Sequence, residues 1–290
     1  MSWFALSLLS AFAFASADAA TKRWFADVDV WDAVVVRFGL SGLLLAPALP
    51  VVWMMPADAR FWLWVGALLP LDIAAIYLYA RAIALAPLSH TLPYLAFTPV
   101  FTALTGWLLL GERVSPAGLV GVALVSGGAY ALNLDAATWR VDKLAPLRFV
   151  LRERGPRLML GVALIFSLTS TLGKGALAYM PPLAFGPFYG VLLGATACLV
   201  VLARRRRLGG VVVARPGGAA IVSIAMAVMM LAHFAAIAQV EAAYMIAVKR
   251  TSMLFGLVYG ALLFGEHGLV RNLAAATVMV VGVAALTVLR

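Results

Sequence analysis

Gly106-Trp107-Leu108-Leu109-Leu110-Gly111-Glu112 returns later in the chain as Gly260-Ala261-Leu262-Leu263-Phe264-Gly265-Glu266. The offset is 260 − 106 = 154 residues. Lys22 and Lys174 stand 152 apart, so nearly one spacing relates the two halves. A helix of small residues follows each Gly-Glu. Gly121 and Gly128 share one face of the first such helix, and Ala275 and Gly282 share one face of the second. Between these landmarks, apolar runs of about 20 residues, the length that crosses a bilayer, recur along nearly the whole chain. Breakers and hydropathy mark spans at 3–21, 32–54, 61–80, 88–110, 116–134, 157–178, 184–203, 219–239, 242–264 and 269–289. Pro56, Pro87, Pro116, Pro156, Pro181, Pro182 and Pro216 fall at or near the joints. Five spans per repeat is an odd number, so the second copy has to insert upside down. Secondary transporters use this inverted-repeat plan, with the substrate near the bilayer midplane. The sequence therefore predicts an all-α membrane protein with ten transmembrane helices arranged as two five-helix inverted repeats. The repeats are 1–135 and 157–290, joined by a connection over 136–156. That connection mixes both charge signs with Leu144, Leu147, Phe149 and Val150, as in a helix lying on the membrane surface.

Composition agrees. The chain is 64% hydrophobic and 12% charged, where an ordinary globular domain is roughly 25% charged. Its net charge of +10 sits in short loops, where Lys and Arg set topology, so nucleic acid is not an expected partner. The single cysteine, Cys198, permits neither a disulfide framework nor a cysteine-rich metal site. Ala5 to Ala17, ending Ala15-Ser16-Ala17, imitates a signal peptide. It lacks a basic leading region and reads as part of the first span.

These residues carry a family resemblance. The Gly-Glu-Arg-Val-Ser run after the fourth span, the glycine-rich fifth span and the repeat of both resemble the drug/metabolite transporter superfamily, EamA type. The resemblance covers essentially the whole chain and implies a ten-helix bundle that moves small molecules without ATP. It also implies termini in the cytoplasm. The positive-inside rule points the other way: Arg60, Arg113 and Arg290 are the only basic loop residues on the side of the termini, while Arg204 to Arg207 and most others lie opposite.

The candidate site is Val248-Lys249-Arg250-Thr251-Ser252 in the ninth span. A charge at bilayer depth costs ~2.5–3.5 kcal/mol on insertion scales, so two together call for a watery cavity, a counter-ion or an anionic ligand. Lys249, Ser252, Gly256 and Gly260 are expected on one face of a continuous helix. The Val-Lys-Arg run resembles the ninth helix of plastid phosphate translocators, and that resemblance implies that Lys249 and Arg250 hold a substrate phosphate. Arg supplies a bidentate fork and Lys a movable point charge. The translocators carry a further lysine four residues before a proline of the fourth helix, where this chain has Leu95. One anionic group on an apolar body therefore suits the site better than a small sugar phosphate.

Lys174, Tyr244 and His90 join Lys249, Arg250 and Ser252 as candidate substrate contacts, and Asp72, Glu241 and Asp18 are candidate coupling groups. Each has a plainer role open to it. Lys174 and Lys22 can snorkel, Asp18 can pair with Lys22 at i, i+4, Asp72 can neutralise Arg37, and Glu241 can complement a helix dipole. Glu112 and Glu266 read as parts of the repeated turn. Tyr77, Tyr79, Phe185, Phe188, Tyr189, Tyr244 and Tyr259 can either line an amphipathic pocket or pack as membrane aromatics. His90 and His233 lack metal partners at ligand spacing, so no metal or cofactor is expected. The sequence holds no phosphate-cradling loop and no nucleophile elbow, which argues against an enzyme. The expected activity is secondary transport of an anionic or amphipathic metabolite, phosphate-bearing or not, across an inner membrane by a monomer or homodimer. The alternatives are an exporter of aromatic amino acids or cationic drugs, and a lipid flippase.

Overall fold

A computed structural model describes residues 1–52, 56, 58–85, 91–132, 152–204, 210–265 and 273–288. His90, residues 136–151 of the expected connection, Arg205 to Arg207, Glu266 and Arg271 lie outside the described residues. The regular elements are helices: α1 (Trp3–Phe25), α2 (Val30–Ala48), α3 (Ala59–Leu85), α4 (Thr98–Leu110), α5 (Pro116–Leu132), α6 (Arg154–Ala176), α7 (Pro182–Ala203), α8 (Pro216–Ile237), α9 (Ala242–Lys249), α10 (Ser252–Phe264) and α11 (Leu273–Val288). Among the described residues, eight stretches are long and apolar enough to cross a membrane, with α9 and α10 counted as one stretch. α5 and α11 are apolar but shorter, at 17 and 16 residues.

Local chemistry explains several ends. Pro116, Pro182 and Pro216 open their helices, where a missing N–H costs nothing. Ser2 caps α1 by accepting from the Ala5 N–H, and Lys22 and Arg23 complement the dipole at its other end. Gly111 and Gly265 end α4 and α10 at φ of 68° and 66°, a left-handed conformation that favours glycine. The repeat is visible in this local structure. α4 and α10 are both 13 residues long and start 154 residues apart, and α1 and α6 are both 23 residues long.

The chain folds as two compact units that cut across the sequence halves. The first comprises Met1–Trp62, Ala176–Gln239 and Ser252–His267. Here α1 lies along α8 and α10, and α2 lies along α7. The alanine face of α1 (Ala13, Ala17, Ala20) meets Ala219, Val222, Met226 and Met229 of α8, so the signal-like stretch is packed core. Phe61, Phe185, Tyr189 and Phe234 form an aromatic core in the same unit.

The second unit comprises Leu63–Gly175, Val240–Thr251 and Gly268–Arg290. Its spine is the crossing of α5 with α11. Gly121, Gly128 and Gly282 are turned into that crossing, as the small-residue faces predict, and let the two backbones approach closely. α9 packs on α4 and α5, and the Thr105 hydroxyl of α4 meets the Thr171 hydroxyl of α6 at 2.8 Å.

Candidate functional site

The ninth span is not one helix. α9 stops at Lys249, Arg250 and Thr251 form a turn, and α10 starts at Ser252. The Arg250 N–H donates to the carbonyls of Ala247 (3.0 Å) and Ile246 (3.2 Å), and the Thr251 N–H donates to Val248 (3.0 Å). The Thr251 hydroxyl also donates to the Val248 carbonyl, at 2.7 Å. Backbone bonding has tightened and a side chain has covered a carbonyl, both usual at a helix end. The single face expected for Lys249, Ser252, Gly256 and Gly260 is therefore interrupted. At the matching point of the first repeat, a 3-10 segment, Leu92–Phe97, leads into α4, and the Thr98 hydroxyl donates to Leu95 at 2.7 Å. In both repeats the corresponding span thus departs from regular α-helix near this point. Only the second places charges there, since Leu95 is 154 residues before Lys249 and is buried.

The seven residues from Ala242 to Val248 are each 2% exposed or less. Exposure returns at Lys249 and Arg250, both partly buried, and falls again at Thr251 and Ser252. Within this unit Lys249 lies in the field of the Arg250 guanidinium and of the Asp72 carboxylate. The Arg250 Nε is buried and donates no hydrogen bond among the described residues. A buried guanidinium N–H without an acceptor is costly.

The other candidates separate by their contacts. The Lys174 ammonium pairs with the Glu112 carboxylate and donates to the Val240 carbonyl. The second Glu112 oxygen accepts from the Ala242 N–H at 2.9 Å, the first N–H of α9. The Tyr244 hydroxyl accepts from the Ser115 N–H at 3.1 Å, and its ring lies against Gly118. Glu241 precedes α9 and makes no side-chain cap. Ser252 belongs to the first unit.

Asp18 is also in the first unit. Its ion pair is with Arg37, at 2.6 Å, rather than the local pairing with Lys22 expected from sequence. Arg37, for which the sequence left Asp72 open as a neutraliser, is thus paired with Asp18. Arg37 sits in a π-helical turn of α2, Val35–Gly39, and also reaches Thr21 at 3.4 Å. Lys22 lies over the Phe264 ring. His233 stacks edge-on against Phe234. Among the described residues no group of three His, Cys, Asp or Glu is placed to hold a metal.

Sequence reasoning missed the break and the Glu112–Lys174 pair. The signal for the break was present in Thr251-Ser252, hydroxyl residues of the kind that cap helices, directly after the charges. The pair joins residues 62 apart and has no local signal.

The repeated halves are what the wider comparison detects: the EamA-like transporter family matches over residues 1–134 and again over 154–288. The chain belongs to the EamA-like transporter family. It is a multi-pass membrane protein of a family that transports small molecules. No curated protein matches it in sequence. Among solved structures 28 chains match. One, a crystal structure of a protein, is similar over 100% of this chain and 99% of its own, with a TM-score of 0.75 and 16% identity. At that identity the likeness concerns the fold of this EamA-like chain alone.

Proposed function

We propose that this EamA-like protein is a secondary transporter whose substrate carries one anionic group, phosphate or another, held by Lys249 and Arg250. In this reading ten spans form two five-helix inverted repeats, over 1–135 and 157–290, and the substrate passes by alternating access across an inner membrane. The observation that carries the proposal is the buried Arg250 Nε, which has no acceptor among the described residues and stands beside a second basic group at a break in a membrane span. Charged groups at that depth are kept for substrate pathways, and broken helices are where transporters place their sites. Asp18, half-exposed at its Arg37 pair, supplies a protonatable carboxylate for coupling. An exporter of cationic drugs would need a free acidic group; Asp72 lies in the field of Lys249, which disfavours that reading.

The test is uptake of radiolabelled organic anions, phosphate esters among them, into proteoliposomes with and without a pH gradient. Lys249→Ala or Arg250→Ala leaves a buried anion unpaired, a loss of about 3–5 kcal/mol. At ~1.4 kcal/mol per tenfold, that is several hundredfold or more in affinity. Arg250→Lys is also impaired if the fork is used in full. Normal anion uptake by well-folded alanine variants refutes the proposal.

A further inference from the structure

We infer that Glu112 and Lys174 are positioning residues for Lys249 and Arg250, acting through α9; the inference rests on the basic pair being the anion site. α9 has eight residues, a rod of about 12 Å at 1.5 Å per residue. A two-turn helix does not hold itself in place, so its pose is set by what grips it. One end carries the basic pair. At the other end, Glu112 takes the Ala242 N–H and Lys174 takes the Val240 carbonyl, while the two side chains neutralise each other. Both are largely buried, with side-chain exposures of 11% and 19%. Glu112 follows Gly111 at the end of α4, and Lys174 lies in the last turn of α6. One ion pair thus fastens two helix ends to the start of the helix that delivers the site.

The same geometry removes Lys174 from the direct contacts. Its ammonium grips Val240, two residues before α9, whereas Lys249 is the last residue of α9. One small anionic group cannot touch both ends of a 12 Å rod. The side chains between them are buried on all sides, so α9 shifts as a body and a loosened anchor is felt at the far end. Where geometry is demanding, a displacement of about 1 Å costs on the order of a hundredfold.

The experiment has two arms, both in a Cys198→Ala background. In the first, Val248→Cys places a thiol at a fully buried position of α9, and its labelling by a maleimide is timed. Lys174→Met and Glu112→Gln are expected to speed labelling about tenfold or more by raising local opening, and Lys174→Arg to leave it nearly unchanged. Glu112→Gln retains an oxygen for the Ala242 N–H and is the milder change should Lys174→Met fold poorly. The second arm measures binding of 1-naphthyl phosphate, an anionic group on an apolar body, without the reporter cysteine. Lys174→Met is expected to weaken it roughly tenfold to a hundredfold, and Lys174→Arg to restore it. Adding Lys174→Met to Lys249→Met should cost little more than Lys249→Met alone, since both act at one contact.

Unchanged labelling in both anchor variants overturns the inference. So does binding that survives Lys174→Met while Lys249→Met destroys it, which would leave the anchor a matter of stability only. Full additivity with Lys249→Met would mean that Lys174 acts independently of the basic pair, again overturning it. A parent protein that binds no 1-naphthyl phosphate refutes the anion reading instead, and the labelling arm still decides whether the pair seats α9.

Discussion

Two neighbouring glycines of α5 offer an internally controlled test of how the second unit is held together. A Cβ added at Gly128 would lie 2.6 Å from Met279 Cγ, 2.8 Å from Met279 N and 2.9 Å from the Ala275 carbonyl. Comfortable contact is about 3.5–4.0 Å, so α5 and α11 must separate by roughly 1 Å, because backbone atoms cannot step aside as a side-chain tip can. A Cβ at Gly127 meets nothing within 4 Å. Both Gly→Ala changes gain the same helix propensity, about 1 kcal/mol. Their difference therefore isolates the packing cost, expected at about 1–3 kcal/mol for an overfilled contact. Gly127→Ala should melt at or above the parent, and Gly128→Ala several degrees below Gly127→Ala, at about 2–4 °C per kcal/mol. The assay is the apparent melting temperature in detergent, read by fluorescence-detected size-exclusion on matched preparations. Gly282→Ala should behave like Gly128→Ala, since its Cβ would sit 2.7 Å from Val125 N. Equal melting of the Gly127 and Gly128 variants would show that the helices do not cross there, and the reasoning would fail.

Asp18→Asn keeps an acceptor for Arg37 but cannot take up and release a proton; uptake driven by a pH gradient should vanish while substrate exchange persists in the same proteoliposomes. Gradient-driven uptake at the parental rate would remove Asp18 from coupling. Outside the spans, the hydrogen bonds of Arg215 to Asp27 (2.6 and 2.7 Å) hold that carboxyl at about 2. A lowered carboxylate stabilises above its ordinary value, 3.8, and loses that contribution as pH falls toward 2. The melting difference between the parent and Arg215→Gln should therefore shrink between about pH 5 and pH 3; a constant difference counts against the pair.

Features of the chain that depend on near neighbours were readable in advance. Apolar runs of this length announce helices because a lone segment in hydrocarbon can satisfy its own backbone only that way. Gly111 and Gly265 announce left-handed helix ends, and the spacing of Gly121, Gly128 and Gly282 announces a close crossing. Features decided by distant partners were not readable. The i, i+4 rule offered Lys22 to Asp18, but Arg37 on the next helix takes it, its Nη1 donating to both Asp18 and Thr21. Lys174 looked like a solitary intramembrane charge until α4 brought Glu112 to it. The basic pair was legible as a site from its cost in hydrocarbon. The interruption was harder to read, because neither proline nor glycine marks it and Thr251-Ser252 is its only local signal.

That interruption has a consequence for how the protein is made. The insertion machinery reads a nascent segment for its capacity to reside in lipid, and about 20 apolar residues are needed to span. α9 supplies eight residues and α10 thirteen, with two cations at the join. Neither half suffices alone, and the whole segment carries a surcharge of several kcal/mol. Segments already in place can offset that surcharge, and α4 and α5, the neighbours of α9, are synthesised long before it. A shortened chain ending at α10 should therefore retain the ninth segment better when α4 and α5 are present than when they are deleted.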